Sequence, residues 1–348
     1  MLALEREAGT PEAEEARALV KAHLESLGYR VAVQRFRFHP SGLLAFPLFG
    51  TGLGLLGLLL LPLLTGPVTP AWGAAAVAAA GLGAFALLAV AIGLGWLAAG
   101  ESREDANLVA RRGDGPARRW LVSHLDTKAQ VQSMAGRLVA VWVVAAAVAG
   151  LAGSSLLRLA GPVPLALAAP CAILAVLAGA LAGRGRLRGR SRGARDNGSG
   201  IAAVLAAAEA SADPGTGILI TGAEEFGLVG ARVFAQLEGR RLQGVDVINF
   251  DTIDETGDLY LVSHERRGAA LAAVCAPWVA GVGPAVRSRR LPVGILVDSV
   301  PLARAGAAAI TIGRLTWSTL RVIHTPRDRP EGFSLEVADR VGRAIAAN

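Results

Sequence analysis

Charge is scarce in this chain, and cysteine scarcer. Only 18% of the 348 residues are charged, 53% are hydrophobic, and the mean hydropathy is +0.46. That balance is too apolar for an ordinary soluble protein. Between Pro40 and Gly100 there is no charge at all, and between Leu138 and Gly183 only Arg158. Each block has room for two spans of about 20 residues across a hydrocarbon core of about 30 Å, so part of the chain is expected in lipid. Two cysteines, Cys171 in an apolar block and Cys275 in the polar remainder, exclude a disulfide framework. The first 42 residues are mostly polar, which argues against a cleavable signal peptide. No aromatic residue is interleaved with the main arginine cluster, so a net charge of +7 and a pI near 10.5 give no reason to expect nucleic acid. The near absence of ionisable residues from the apolar blocks argues against a transport path through them.

The first apolar block breaks at Thr65-Gly-Pro-Val-Thr-Pro70, giving spans at residues 43–64 and 72–98 with Trp72 and Trp96 near the ends of the second. The second breaks at Ala160-Gly-Pro-Val-Pro164, giving spans at residues 138–157 and 162–183. Two membrane hairpins, over residues 43–98 and 138–183, are therefore expected. They leave residues 1–42, 100–135 and 184–348 on one side of the bilayer. That side carries Arg184, Arg186, Arg188, Arg190, Arg192 and Arg195 in a basic linker over residues 184–195, together with Arg111, Arg112, Arg118 and Arg119. By the positive-inside tendency it is the cytoplasmic side of a multi-pass cell-membrane protein, its arginines meeting anionic lipid headgroups.

The polar segments alternate in the α/β manner. A capping Thr10, Pro11 and acidic residues open a helix that closes at Gly28, and a strand follows over residues 29–38. Another strand is read at residues 120–123. Beyond residue 196 the pattern gives helix 199–212, strand 216–221, helix 228–239, strands 244–250 and 258–263, helix 267–280, strand 307–312 and helix 334–346. The main polar part, residues 196–348, thus joins the earlier segments in a mixed, mostly parallel sheet flanked by helices, with its site at the carboxyl ends of strands.

Those ends carry the chemistry. His124 and Asp126 follow one strand, Glu224 and Glu225 another and Asp251 a third, while Asp196 precedes a helix and His324 lies near the carboxyl end. Two histidines and several carboxylates from separate loops suit a pair of zinc ions sharing one carboxylate. Asp254, His264 and Asp328 lie near these motifs and are given no site role, Asp328 being the best placed for one.

In order, the chain reads His-Leu-Asp at 124–126, Asp-Asn-Gly-Ser-Gly at 196–200, Glu-Glu-Phe-Gly-Leu-Val-Gly at 224–230, Asn-Phe-Asp at 249–251 and His-Thr-Pro at 324–326. This series resembles the dinuclear zinc metallopeptidases that include bacterial leucyl aminopeptidases, aminopeptidase Y, glutamate carboxypeptidase and the transferrin receptor ectodomain. The resemblance covers all but the two hairpins. It implies a membrane-anchored zinc exopeptidase, foremost an aminopeptidase acting on peptide or protein N-termini, with two Zn2+ ions. His124 and Asp251 would hold one ion, His324 and Glu225 the other, and Asp196 both; Glu224 would be the general base. Asp126 would accept the second imidazole N–H of His124. A catalytically inactive, peptidase-like binding domain is the alternative the transferrin receptor allows. Two departures stand out. A hairpin and a basic linker separate His124 from Asp196 where the family has a short loop, so the ends of that insertion must meet for the site to form. Val297-Asp-Ser299 stands where the family often has Ser-Asp-His.

Overall fold

The computed structural model describes residues 1–40, 45–66, 70–93, 101–182, 189–292 and 295–348. The chain divides into two compact units, one made of Met1–Phe38, Ser102–Ala129 and Gly189–Asn348, the other of His39–Glu101 and Gln130–Arg188.

Among the described residues, the first unit is built on eight strands: β1 (Arg30–Phe38), β2 (Arg103–Arg111), β3 (Arg119–His124), β4 (Thr216–Thr221), β5 (Asp246–Ile253), β6 (Asp258–Ser263), β7 (Val286–Arg290) and β8 (Ala308–Leu315). Their order across the sheet is β1-β2-β4-β3-β5-β8-β6-β7. The central four, β4, β3, β5 and β8, are parallel. β2 joins them antiparallel on one side and β6 on the other, so the sheet is mixed with a parallel middle.

Helices cover both faces, which is why the central strands read as unbroken apolar runs instead of alternating ones. Leu121, Ile218, Ile220, Ile248 and Ile310 point to one face. They meet Val20 and Leu24 of the first helix, Val204 of Gly200–Ala210, and Val341 and Ile345 of Glu336–Ala346. Trp120, Val122, Leu219 and Val247, one position out of phase, point to the other and meet Phe234 of Val229–Glu238 and Leu302 of Ser299–Arg304. The opening helix runs Pro11–Ser26, with Thr10 accepting a hydrogen bond from the Ala13 N–H at 3.2 Å and Glu12 and Glu14 in its first turn.

Strands β2 and β7 were not anticipated, for opposite reasons. β2 buries polar side chains, Asp105 against Arg17 and Asn107 against Gln34 and Gly230, so no apolar alternation marks it. β7, Val-Arg-Ser-Arg-Arg, is an exposed edge that buries almost nothing.

Among the described residues, the second unit holds four apolar helices, Ala45–Thr65, Ala71–Gly93, Met134–Leu157 and Leu165–Ala182. Close approach between the first and last rests on glycine: a Cβ at Gly57 would sit 2.6 Å from the Ala175 Cβ, and one at Gly179 would sit 2.8 Å from the Gly50 carbonyl. Small residues at such crossings are the means by which helices associate in lipid. Leu53, Leu56, Leu60, Val144 and Leu151 fill the centre, whereas Leu58, Leu59, Leu87, Trp142, Leu157 and Ile173 are exposed. Trp72 is exposed as well. Arg158 is buried at a helix end, where it donates to the carbonyls of Leu63 at 3.2 Å and Gly66 at 2.9 Å, placing its charge on the negative end of the first helix.

By length and composition one stretch, Met134–Ala160, is long and apolar enough to cross a membrane; Phe49–Thr65, Trp72–Leu88 and Leu165–Leu181 are shorter. Among the described residues, one of the four expected spans is thus matched by a stretch of sufficient length. The outer ends of the first two expected spans, at residues 43–44 and 94–98 with Trp96, lie outside the described residues, as do residue 183 and Arg184, Arg186 and Arg188 of the basic linker.

Candidate metal centre

The carboxyl ends of the parallel strands converge on one buried cluster. His124 is the last residue of β3, Glu224 and Glu225 sit in the loop after β4, and Asp251 lies in β5. Asp196 arrives just ahead of the helix Gly200–Ala210, and His324 lies beyond the short helix Trp317–Leu320.

Ligand atoms of these residues form two triplets, His124 with Asp196 and Asp251, and Asp196 with Glu225 and His324, each with its atoms within 4.8 Å of one another. Nε2 of His124 is 3.2 Å from Asp196 Oδ1 and 3.9 Å from Asp251 Oδ1. Nε2 of His324 is 3.0 Å from Asp196 Oδ2 and 3.1 Å from Glu225 Oε1. Asp196 thus presents one oxygen to each histidine. Asp251 is partly exposed and accepts a hydrogen bond from the Thr252 hydroxyl at 3.0 Å.

The surroundings set up these groups as ligands. Nδ1 of His124 lies 3.0 Å from the Asp126 main-chain carbonyl, which only accepts, so Nδ1 donates its proton there and Nε2 is the atom turned to the carboxylates. Here the structure corrects the sequence expectation for Asp126. Its carboxylate is 3.7 Å from that nitrogen and instead accepts the main-chain N–H of Glu224 at 3.0 Å and of Glu225 at 3.1 Å. Asp126 therefore holds the Glu-Glu loop against the end of β3.

Asp328, which the sequence left without a role, is fully buried and accepts the main-chain N–H of Arg195 at 2.9 Å and of Asp196 at 3.0 Å. Asp254 pairs with Arg195 at 3.1 Å and accepts from the Thr319 hydroxyl, whereas His264 is partly exposed beside Glu265 and takes no part.

Electrostatics separate the two glutamates. Burial pushes the Glu224 carboxyl well above the usual range; His124 opposes the shift, and Glu225, Asp298 and Asp251 add to it. Burial would also raise Glu225, but His324 and Lys128 outweigh it and bring it down to about 2. One glutamate is thus set to hold a proton more tightly than an ordinary carboxyl and the other to stay an anion. His124 would be lowered by burial, yet Glu224, Asp126, Asp196 and Asp251 raise it well above its ordinary value. Asp298, the middle residue of Val297-Asp-Ser299, is buried, accepts from the Thr221 hydroxyl and is pushed up to about 7 by burial.

Two imidazoles and three carboxylates around a shared aspartate fit zinc. The buried Oε1 of Glu225 points the same way: it faces His324 Nε2 at 3.1 Å yet makes no aligned hydrogen bond among the described residues. A buried oxygen left so is what a metal ligand looks like without its ion.

Sequence reasoning missed four residues. Asn197 ties the ends of three elements, donating to the Ser123 hydroxyl and the Phe250 carbonyl, both at 2.9 Å, and accepting from the Gly200 and Thr252 N–H groups at 3.0 and 3.1 Å. Its signal was its place inside Asp-Asn-Gly-Ser-Gly. Lys128 is buried and its ammonium pairs with Glu225 Oε2. A lysine two residues past His-Leu-Asp, in a chain whose only other lysine is Lys21, was legible as unusual. Thr221, at the end of β4, holds Asp298.

The fourth is Arg6, which had no signal in its polar surroundings. It is fully buried; Nε donates to the Leu125 carbonyl at 2.9 Å, Nη1 to the Arg192 carbonyl at 2.6 Å and Nη2 to the Gly193 carbonyl at 3.0 Å. Leu125 follows His124 and Gly193 precedes Asp196, so one guanidinium joins the chain on either side of the inserted hairpin. The Thr127 hydroxyl adds a hydrogen bond to the Ser191 carbonyl at 3.0 Å. The closure that the insertion required is present. Burial pushes Arg6 down to about 10, with Asp328, Asp126 and Asp196 resisting. Arg6→Met leaves several buried carbonyls unpaired, at about 1–3 kcal/mol each. The expected result is a lower melting temperature together with reduced zinc content, partly restored in Arg6→Lys; unchanged zinc content would contradict the clamp.

The sequence profile described as peptidase family M28 matches residues 175–348, half of the chain. Among solved structures, glutaminyl cyclase from Fimbriiglobus ruber superposes with a TM-score of 0.56 at 14% identity, covering 99% of this chain and 88% of that one. BSAP, a zinc aminopeptidase from Bacillus subtilis, gives 0.53 at 14% identity over 98% of this chain and 90% of that one. The aminopeptidase LapA of Legionella pneumophila gives 0.53 at 14% identity; 99% of this chain is covered, but the chain spans only 66% of LapA. At such identity these likenesses speak to the fold. Comparison with curated protein sequences yields no match. Taken with the profile match, the mixed sheet and the buried ligand cluster have a single reading: the chain belongs to peptidase family M28 and is a metallopeptidase.

Proposed function

We propose that the protein is a membrane-anchored zinc aminopeptidase that holds two zinc ions and releases the N-terminal residue of peptides or proteins. The observation that carries this reading is the division of ligands into two triplets sharing Asp196, with Glu224 buried beside them. His124 and Asp251 would hold one ion, Glu225 and His324 the other, and Asp196 both. Zinc, when bound, polarises a peptide carbonyl and lowers the pKa of water.

The rest of the chemistry falls to the chain. Glu224 takes a proton from the attacking water as its oxygen bonds to the carbonyl carbon. The same carboxyl then gives that proton to the nitrogen as the C–N bond breaks, so that a free acid and an amine leave. Asp126, through the two N–H groups it holds, keeps Glu224 and Glu225 facing their separate tasks.

The membrane part of the reading is supported by the apolar stretch Met134–Ala160, the exposed leucines of the second unit and its glycine-mediated helix crossings. Four spans in two hairpins, with the peptidase residues on the cytoplasmic side and the arginines against anionic headgroups, complete it. Leucine amide and its N-acetylated form, offered to the detergent-purified full chain, separate the possibilities. Release of ammonia from the free amine alone is expected; equal release from both would contradict exopeptidase action, and release from neither would favour a binding domain over an enzyme.

A further inference from the structure

Lys128 is one of two lysines in a chain with 35 cationic residues, and it lies buried at the metal centre. Its ammonium pairs with Glu225 Oε2 and stands 3.4 Å from the Glu225 main-chain carbonyl. No other carboxylate lies within ion-pair distance of it among the described residues. The cation is therefore directed at one ligand of one triplet. In the other triplet, the corresponding terminal ligand, Asp251, is met by a neutral hydroxyl, that of Thr252. Asp196 is common to both and each has one histidine, so Lys128 is the clearest difference between two otherwise similar sets of donors.

We propose that Lys128 makes the Glu225–His324 position the weaker of the two zinc sites. The inference rests on the dinuclear reading above. A fixed ammonium beside a ligand oxygen repels a dication at that position, and in a buried site this repulsion is screened little. It also draws electron density from Glu225 and engages one of its oxygens, leaving Oε1 as the donor. The same pair has a positive side: without metal, Lys128 balances the buried Glu225 charge, so the centre stays assembled and ready to load. Zinc then enters the His124–Asp251 position first, and occupancy of the second position follows the free zinc concentration.

The test is stepwise calorimetric zinc titration of the metal-stripped full chain in detergent, for the wild type, Lys128→Met and Lys128→Arg, with Glu225→Gln to identify which step uses that ligand. For the wild type, two steps are expected, the weaker one lost in Glu225→Gln. Lys128→Met removes the charge at similar length and is expected to tighten that step by about tenfold or more while leaving the other in place, the scale on which groups contacting ligands tune affinity. Lys128→Arg keeps the charge and is expected to leave the step weak. Two wild-type steps whose weaker one Lys128→Met leaves no tighter would overturn the role of Lys128 and leave the dinuclear reading intact. A wild type that binds no zinc would overturn that reading, and this inference with it.

Discussion

Glu224→Gln is expected to keep its zinc and lose turnover by about 100- to 10,000-fold, the usual contribution of a positioned proton-transfer group. Glutamine has the same length and shape, so the loop after β4 keeps the two N–H contacts to Asp126. Neither ligand triplet includes Glu224. What the substitution removes is the buried carboxyl beside the two triplets, whose hold on a proton burial raises above the usual carboxylate range. The loss should fall on kcat, with KM little changed, because the amide still occupies the same volume. Steady-state kinetics on an amino-acid amide, with zinc measured on the same sample, decides it. Undiminished turnover would remove Glu224 from the mechanism, and loss of zinc would move it among the ligands.

Asp196→Asn acts on the metals themselves. Asp196 is the one side chain present in both triplets, and its two oxygens face different histidines at 3.2 and 3.0 Å. An amide keeps one oxygen and exchanges the other for a donor nitrogen, so in the dinuclear reading one ion would lose its ligand and the other the negative charge that offsets it. Zinc affinity is expected to fall by more than about 100-fold, beyond what changes one shell further out produce. The main-chain contact from Asp196 to Asp328 does not involve the substituted group, so the local backbone should hold.

How much of this was visible beforehand follows from the kind of interaction concerned. The candidate ligands were legible because His124, Glu225 and Asp251 follow apolar runs while Asp196 and His324 stand in short motifs, and the helix at Pro11–Ser26 because its cap and proline are local signals. Strands β2 and β7 were not, since one buries polar pairs and the other is an exposed edge. Asp126 was located correctly, but which atom does which task depends on a carbonyl whose direction no sequence states. Arg6 was invisible for a similar reason: its partners are main-chain carbonyls at Leu125, Arg192 and Gly193, far along the chain and without residue type. It is this residue that reconciles a short-loop family geometry with the long insertion between His124 and Asp196.

The most direct test of the dinuclear centre is the zinc content of the detergent-purified full chain after equilibration with excess zinc, measured beside Asp196→Asn. About two zinc ions per wild-type chain, falling below one in the variant, is the expected result for ligands arranged as two triplets on one bridge. A wild type that takes up no zinc, or a variant that retains as much as the wild type, would contradict it.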